Sequence, residues 1–298
     1  MLHHIYDSPV IPKRVVVMGS GGFVGGAIVR RLQQRGIPVL PLTRRDVDLL
    51  AAGAGDRLAS LLHLEDVFVA ASAIAPVKNA DMLKDNISLI SAVADALKRQ
   101  PVSHVINIGS DAIYADSDAP LHEGSVTAPG SLHGVMHLIR EIMLAEAAGS
   151  AAYASLRPTL IYGADDPHNG YGPNRFRRLA AEGKDIVLFG AGEERRDHVL
   201  IDDVAELAVR MILRRSRGVL NAATGTVISF RKAAEVIAAL YPKPVRIVET
   251  PRSGPMPHNG YRPFDATATA AAFPDFTYVK PEEGFARVHT ELNRRQHG

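Results

Sequence analysis

The 298 residues contain no cysteine. Disulfides, thiolate metal sites and a cysteine nucleophile are therefore excluded. No stretch approaches the roughly 20 consecutive apolar residues that a membrane span needs. The first dozen residues carry His3, His4, Asp7 and Pro9 and lack the cationic start and apolar run of a secretory signal. A cytoplasmic location without membrane attachment is the expectation. Net charge is scarce as well: 34 Lys and Arg against 32 Asp and Glu leave +2, too weak a field to point to nucleic acid. No internal repeat or low-complexity linker interrupts the chain, and its 46% of apolar residues is ordinary for a globular protein.

What is present is an alternation of strands and helices. Val15-Val16-Val17 is a continuous β-branched run that reads as a buried strand over 13–18. A helix over 27–35 is stopped by Gly36, and a second strand follows over 37–42. The pattern continues with a helix over 56–64, a strand at 67–69, and a long amphipathic helix over 81–99 with Pro101 at its exit. A strand over 102–108, a helix over 132–148 and a strand over 151–156 complete it. Apolar strands separated by helices predict an α/β doubly wound parallel sheet of the Rossmann kind, whose ligands sit at the carboxyl ends of the strands. After Pro158 glycines, prolines and polar residues thicken. The expected division is a dinucleotide-binding domain over 1–165, to which 197–221 returns, and a smaller interleaved substrate-binding lobe within 166–298.

Gly19-Ser20-Gly21-Gly22-Phe23-Val24-Gly25 follows the first strand and opens a helix. In that context the first glycine permits a tight turn, the middle one lets backbone amides approach a pyrophosphate, and the last lets helix and strand pack closely. The helix N-terminus then presents unpaired N–H groups to the anion. The plainer alternative is a glycine-rich turn that binds nothing.

Several further segments agree with this loop. They are Ser110-Asp111-Ala112-Ile113-Tyr114, Leu156-Arg157-Pro158-Thr159-Leu160-Ile161-Tyr162-Gly163, Arg196-Asp197-His198 through Val204, and Asn221 to Gly225. Together and in this order the motifs resemble those of the extended short-chain dehydrogenase/reductases, the NAD(P)-dependent epimerase/dehydratase family. The resemblance runs from about residue 13 to 225 and weakens beyond. It implies an oxidoreductase or epimerase acting on a nucleoside diphosphate sugar or a related hydroxy or keto compound, commonly as a homodimer. It also implies that Ala71 and Pro158 lie against the cofactor, and that Asn86 lies beside the site. A polar residue on a solvated helix face is the alternative for Asn86.

An NAD-specific site usually ends its second strand with an acid for the ribose 2′-OH. Here that place reads Thr43-Arg44-Arg45, and Asp46 comes late. A guanidinium there would neutralise a 2′-phosphate with charge-assisted bonds, and 43–49 also resembles an NADP-using branch of the family. NADP is expected rather than NAD, with a solvated basic turn as the competing reading.

The family uses Ser or Thr, then Tyr and Lys one helical turn apart. Ser110 fills the first position. At the other two the sequence has His133 and His137, which face the same side of a helix. Three readings stand. His133 exchanges a proton with the substrate oxygen while His137 contacts the nicotinamide ribose, an imidazole being suited to proton exchange near neutral pH. Or the site has lost its chemistry and the protein is a non-catalytic dinucleotide-binding sensor or interaction module. Or the histidines bind a metal with Glu141, although the family needs none and no metal is expected. On the substrate side the resemblance implies Arg196 on the diphosphate, Arg262 as a second clamp and Asn174 on the sugar or phosphate. A surface ion pair with Asp265 is the alternative for Arg262.

Overall fold

The structure is a computed structural model that describes residues 1–297. The chain runs β1 (His3–His4), β2 (Val15–Met18), α1 (Phe23–Gln34), β3 (Val39–Leu42), α2 (Ala54–Ala59), β4 (Val67–Ala70), α3 (Ala80–Arg99), β5 (His104–Ile108), a 3-10 turn (Asp111–Ile113), α4 (Leu132–Ala147) and β6 (Ala152–Pro158). It continues with β7 (Leu160–Tyr162), α5 (Pro173–Ala181), β8 (Ile186–Phe189), β9 (Arg195–Leu200), α6 (Ile201–Leu213), β10 (Ser216–Ala222), β11 (Val227–Ser229) and α7 (Phe230–Ala238). Last come β12 (Ile247–Thr250), β13 (Tyr261–Arg262), α8 (Thr267–Ala272) and α9 (Pro281–His297).

A seven-stranded sheet has the order β1-β10-β6-β5-β4-β2-β3. All its pairings are parallel except β1 with β10. Successive side chains of β2 point to opposite faces. Val15 and Val17 join a core with Ile28 and Leu32 of α1 and Leu207 of α6. Val16 and Met18 join another with Leu58 of α2, Val93 of α3 and Leu144 of α4. Both faces are covered, and for that reason these strands read as unbroken apolar runs rather than alternating ones. The chain leaves β2 for β3 on one side and reaches β4 on the other. This reversal opens a crevice at the carboxyl ends of the strands, the ligand position of a doubly wound sheet.

The second half builds the smaller sheets. β9 pairs with β11, β13 and β7, while β8 pairs with β12. α6 and β10 return to the large sheet, whereas residues 197–200 belong to β9. The proposed return of the chain to the dinucleotide-binding unit therefore starts at Ile201. Helix α1 begins at Phe23, earlier than the expected 27, because the glycine loop passes directly into it. Helix α2 is shorter than 56–64, since Leu61 and Leu62 close tight turns onto Leu58 and Ala59. Among the described residues no helix is long and apolar enough to cross a membrane.

Candidate active site

The glycine loop turns at the end of β2. Gly19 and Ser20 donate to the Leu42 carbonyl, and Gly22 donates back to the Gly19 carbonyl at 3.0 Å. Gly19 has φ +97°, a left-handed conformation suited to glycine. A Cβ on Gly25 would lie 2.2 Å from the Gly19 oxygen, so only glycine lets α1 start here. Gly22 is the N-cap of α1 and no side chain caps the helix, which leaves its first N–H groups for an anion. A Cβ at Gly22 would meet only the Gly19 oxygen, at 3.3 Å, and at Gly21 only the Thr43 side chain, at 3.6 Å. These are the dimensions of a phosphate cradle, and a nicotinamide dinucleotide fits the residues present. Gly22→Val is expected to keep the far-UV circular dichroism of the wild type and to abolish dinucleotide binding in calorimetry, because its branched side chain takes the space of the pyrophosphate.

The loop opens on a cavity of about 1440 Å³ between the carboxyl edge of the large sheet and the smaller sheets. Gly22 to Gly25, Ala71, Ser110, His133, His137, Pro158, Asn174 and Arg196 all line it. Gly19, Ser20, Gly21, Arg44, Arg45, Asn86 and Arg262 are not on its wall. The first three form the turn behind the loop. Arg44 is exposed at the end of β3, in a weak pair with Asp48 at 3.2 Å, and Arg45 is exposed beside it. Asp46 does not stand free as a ribose acceptor. Its carboxylate accepts from the Thr43 N–H at 2.8 Å and the Thr43 hydroxyl at 2.7 Å, and these bonds lower its pKa.

Asn86 is on no solvated face. It is buried, its Oδ1 accepts from the Ile74 N–H, and its Nδ2 donates to the Ile74 and Met82 carbonyls. Its two bonds to Ile74 fix the loop after β4 to α3. Arg262 corrects the expectation of a surface pair. It is 1% exposed, so it forms no surface pair with Asp265. Its guanidinium is committed to the Asp111 carboxylate (3.0 Å), the Asp116 carboxylate (2.9 Å) and the Asp111 and Tyr114 carbonyls, and it stands behind the cavity wall rather than on it. Asn174 touches the cavity, yet its Oδ1 accepts from the Gly163 N–H and its Nδ2 donates to Asp166. Arg196 is held only by a 3.3 Å contact with Glu194.

Helix α4 is capped by Ser131, whose hydroxyl accepts from the Gly134 N–H, and it presents the two histidines together. Their rings lie 4.7 Å apart, nearly perpendicular. Nδ1 of each is buried without a partner. Burial lowers the pKa of His133, with nearby Asp111 opposing and His168 reinforcing. Burial lowers that of His137 much further, helped by His133 and Arg140. His137 is therefore neutral and gives no substitute for a lysine charge. Ser110 caps the 3-10 turn, its Oγ accepting from the Ala112 N–H at 3.1 Å. Glu141 takes no part with the histidines: Arg157 forms a two-pronged pair with it and Ser155 donates to it at 2.9 Å. The metal arrangement with Glu141 is thereby removed.

Residues that the sequence reading passed over also surround the cavity. Asp111 sits inside a motif already singled out and is fixed by Arg262 near His133. His168 pairs with Asp166 at 2.9 Å and reaches the Ala75 carbonyl at 3.2 Å, tying the loop before α5 to the loop after β4. His258, at φ +52°, joins Asp116 and Arg262 on the substrate side. Among the described residues no group of three His, Asp or Glu is arranged to hold a metal ion.

The family model for the NAD dependent epimerase/dehydratase family matches residues 15–223. The chain belongs to this family. It is 27% identical over 272 residues to GDP-L-fucose synthase of Escherichia coli K12, covering 79% of this chain and 84% of that one. Over 275 residues it is 25% identical to dTDP-4-dehydro-6-deoxy-D-allose reductase of Streptomyces bikiniensis, with 79% and 83% covered. Its fold is that of UDP-glucose 4-epimerase from Thermotoga maritima, solved with UDP-glucose, at a TM-score of 0.83, 22% identity and 95% and 99% coverage. The Thermus thermophilus UDP-glucose 4-epimerase solved with NAD gives 0.81 at 22% identity, covering 94% and 99%.

Proposed function

We propose that this member of the epimerase/dehydratase family is an NADP-dependent oxidoreductase or epimerase acting on a nucleoside diphosphate sugar. The reading is carried by one arrangement: an uncapped, glycine-lined helix N-terminus opening on the same cavity as Ser110, His133 and Arg196. A bound nicotinamide dinucleotide would supply hydride exchange at a substrate carbon. Gly19 to Gly25 hold its diphosphate through backbone N–H groups, and Ala71, Pro158 and His137 bound it from the strand ends and α4. Ser110 hydrogen-bonds the substrate oxygen. His133 exchanges a proton with that oxygen, steadied by the charge of Asp111. Arg196, loosely held, turns its fork onto the substrate diphosphate, while Asn174 shapes the wall through Gly163 and Asp166. A cytoplasmic homodimer belongs to the same reading, and size-exclusion chromatography with light scattering checks it.

The choice of NADP rests on Arg44 and Arg45 at the end of β3 and on Asp46 being taken up by Thr43. The Arg44–Asp48 pair is exposed, so it gives little resistance to a phosphate competing for the guanidinium. NADPH is expected to bind at least about tenfold tighter than NADH, about 1.4 kcal/mol, and Arg44→Ala to remove most of the difference. Calorimetric titration of both cofactors checks this. Equal affinities in the wild type refute the assignment.

The neutrality of His137 favours a second reading, in which the protein binds the dinucleotide without turning over a sugar nucleotide. Hydride transfer followed at the nicotinamide absorbance, across a panel of nucleoside diphosphate sugars and their keto forms, separates the two.

A further inference from the structure

One buried cation remains outside this scheme. Arg140 lies one turn beyond His137 on α4, so His133, His137 and Arg140 form a stripe at i, i+4 and i+7. It is 3% exposed and does not reach the cavity wall. Its Nε donates to Asn107 Oδ1 at 2.8 Å, Nη2 to the Ala70 carbonyl at 2.6 Å, and Nη1 to the Ser72 carbonyl. None of these partners is an acid. The adjacent Glu141 is committed to Arg157. A cation buried without a counter-charge is costly, and hydrophobic residues would fill the space more cheaply, so its retention calls for a use.

Its partners indicate one. Ala70 and Ser72 flank Ala71, which lines the cavity at the end of β4. Ser72 also packs on the phosphate loop so closely that a Cβ on Gly19 would lie 2.7 Å from the Ser72 nitrogen. The guanidinium thus ties the histidine helix to the strand end that supports the loop. It also stands where its charge acts on His137. The other titratable groups facing the pair are Asp111 from the 3-10 turn and His168 from the loop before α5, both acting on His133. Tyr153 of β6 faces Arg140 itself.

We propose that Arg140 is the positioning residue of this site: it fixes the end of β4 against the phosphate loop, and it sets a permanent positive charge one helical turn from His137. The inference rests on the reading that a dinucleotide lies against this strand end. The relatives' lysine charge is then moved from the position of His137, in contact with the cavity, to a buried position three residues later.

Histidine side-chain NMR without cofactor, and NADPH calorimetry, on the wild type, Arg140→Lys and Arg140→Gln test this. In the wild type, the His137 ring is expected to stay neutral through the pH range in which a free imidazole protonates. Arg140→Gln keeps an amide donor but no charge, and its His137 ring protonates at higher pH than in the wild type. Arg140→Lys keeps the charge and leaves that titration unchanged. Neither substitute rebuilds the three-way clamp, so NADPH binds about tenfold more weakly to both, the loss expected for a charge-assisted hydrogen bond. An ordinary His137 titration in the wild type overturns the proposal without any variant. So does an unmoved titration in Arg140→Gln, or full NADPH affinity in both variants. A wild type that binds no dinucleotide instead sinks the proposed function, while the titrations still decide the part played by the Arg140 charge.

Discussion

Replacing His133 by phenylalanine lowers the turnover of a keto sugar nucleotide by about a hundredfold or more, the usual contribution of a positioned acid or base. Phenylalanine keeps a planar ring against His137 and removes both nitrogens. NADPH affinity should stay within about twofold, because the phosphate loop is untouched and the change falls on the transition state alone. His137→Ala weakens cofactor binding as well as turnover, since its proposed neighbour is the nicotinamide ribose. Free imidazole would place the ionisation of the rate near 6.5. Burial moves it: the His133 pKa is lowered, so the imidazolium that donates the proton forms only below 6.5, and the rate of reduction should rise as pH falls below neutrality. A rate that survives His133→Phe intact puts the acid on another residue. If the wild type binds NADPH yet reduces no sugar nucleotide, restoration decides for the non-catalytic reading. His133→Tyr with His137→Lys rebuilds the family pair. The new lysine would lie beside Arg140, so turnover is expected to return only when Arg140→Gln accompanies it.

The sheet and its glycine loop were legible because their signals are local. Val15 to Val17 need no partner to read as a strand, and Gly19 to Gly25 declare their turn within seven residues. What the pattern left out are surroundings that come from far along the chain. Arg262 meets Asp111 across 151 positions, and Arg140 meets Ser72 across 68. No spacing rule carries that information. The burial of Asn86 was not legible for a different reason: its partners Ile74 and Met82 are near, but they are main-chain groups, which the sequence pattern leaves out. The family resemblance supplied the positions of the site and could not say which arginine faces the cavity. Burial decides it, with Arg196 on the wall and Arg262 behind it. The same applies to the histidine pair. Helical spacing put the two rings together, and only the buried neighbours reveal that both titrate low.

Acidification below pH 6.5 should destabilise this protein. His104 of β5 is fully buried, bound through Nε2 to the Ser216 carbonyl at 2.8 Å, and burial lowers its pKa from 6.5 to about 4. His198 of β9, edge-on to Phe230 at 5.6 Å, is pushed down to about 3 by burial and by Arg196. Above pH 6.5 both are neutral whether the chain is folded or not, and they contribute no pH dependence. Below it the unfolded chain takes up protons that the folded one refuses, so stability is lost as pH falls from 6.5 toward the folded values. Each histidine then costs about 1.4 kcal/mol per pH unit, or about 2 kcal/mol apiece at pH 5. Asp203 works in the opposite direction. Burial raises its pKa from 3.8 to about 6, against a hydrogen bond from the Val279 N–H. Its contribution is full below 3.8 and lost as pH rises through 6, so acidification to pH 5 returns on the order of 1 kcal/mol. For these three groups the balance is a loss of roughly 2 to 3 kcal/mol between pH 7.5 and 5, a large share of the 5 to 15 kcal/mol typical of a folded domain. Urea unfolding at pH 7.5, 6 and 5 measures it. His104→Gln keeps a donor for Ser216 without a titrating ring and should flatten the acid slope, while Asp203→Asn should steepen it. A wild-type stability that is level from pH 7.5 to 5, or a slope that His104→Gln leaves unchanged, means that these rings are protonated inside the fold.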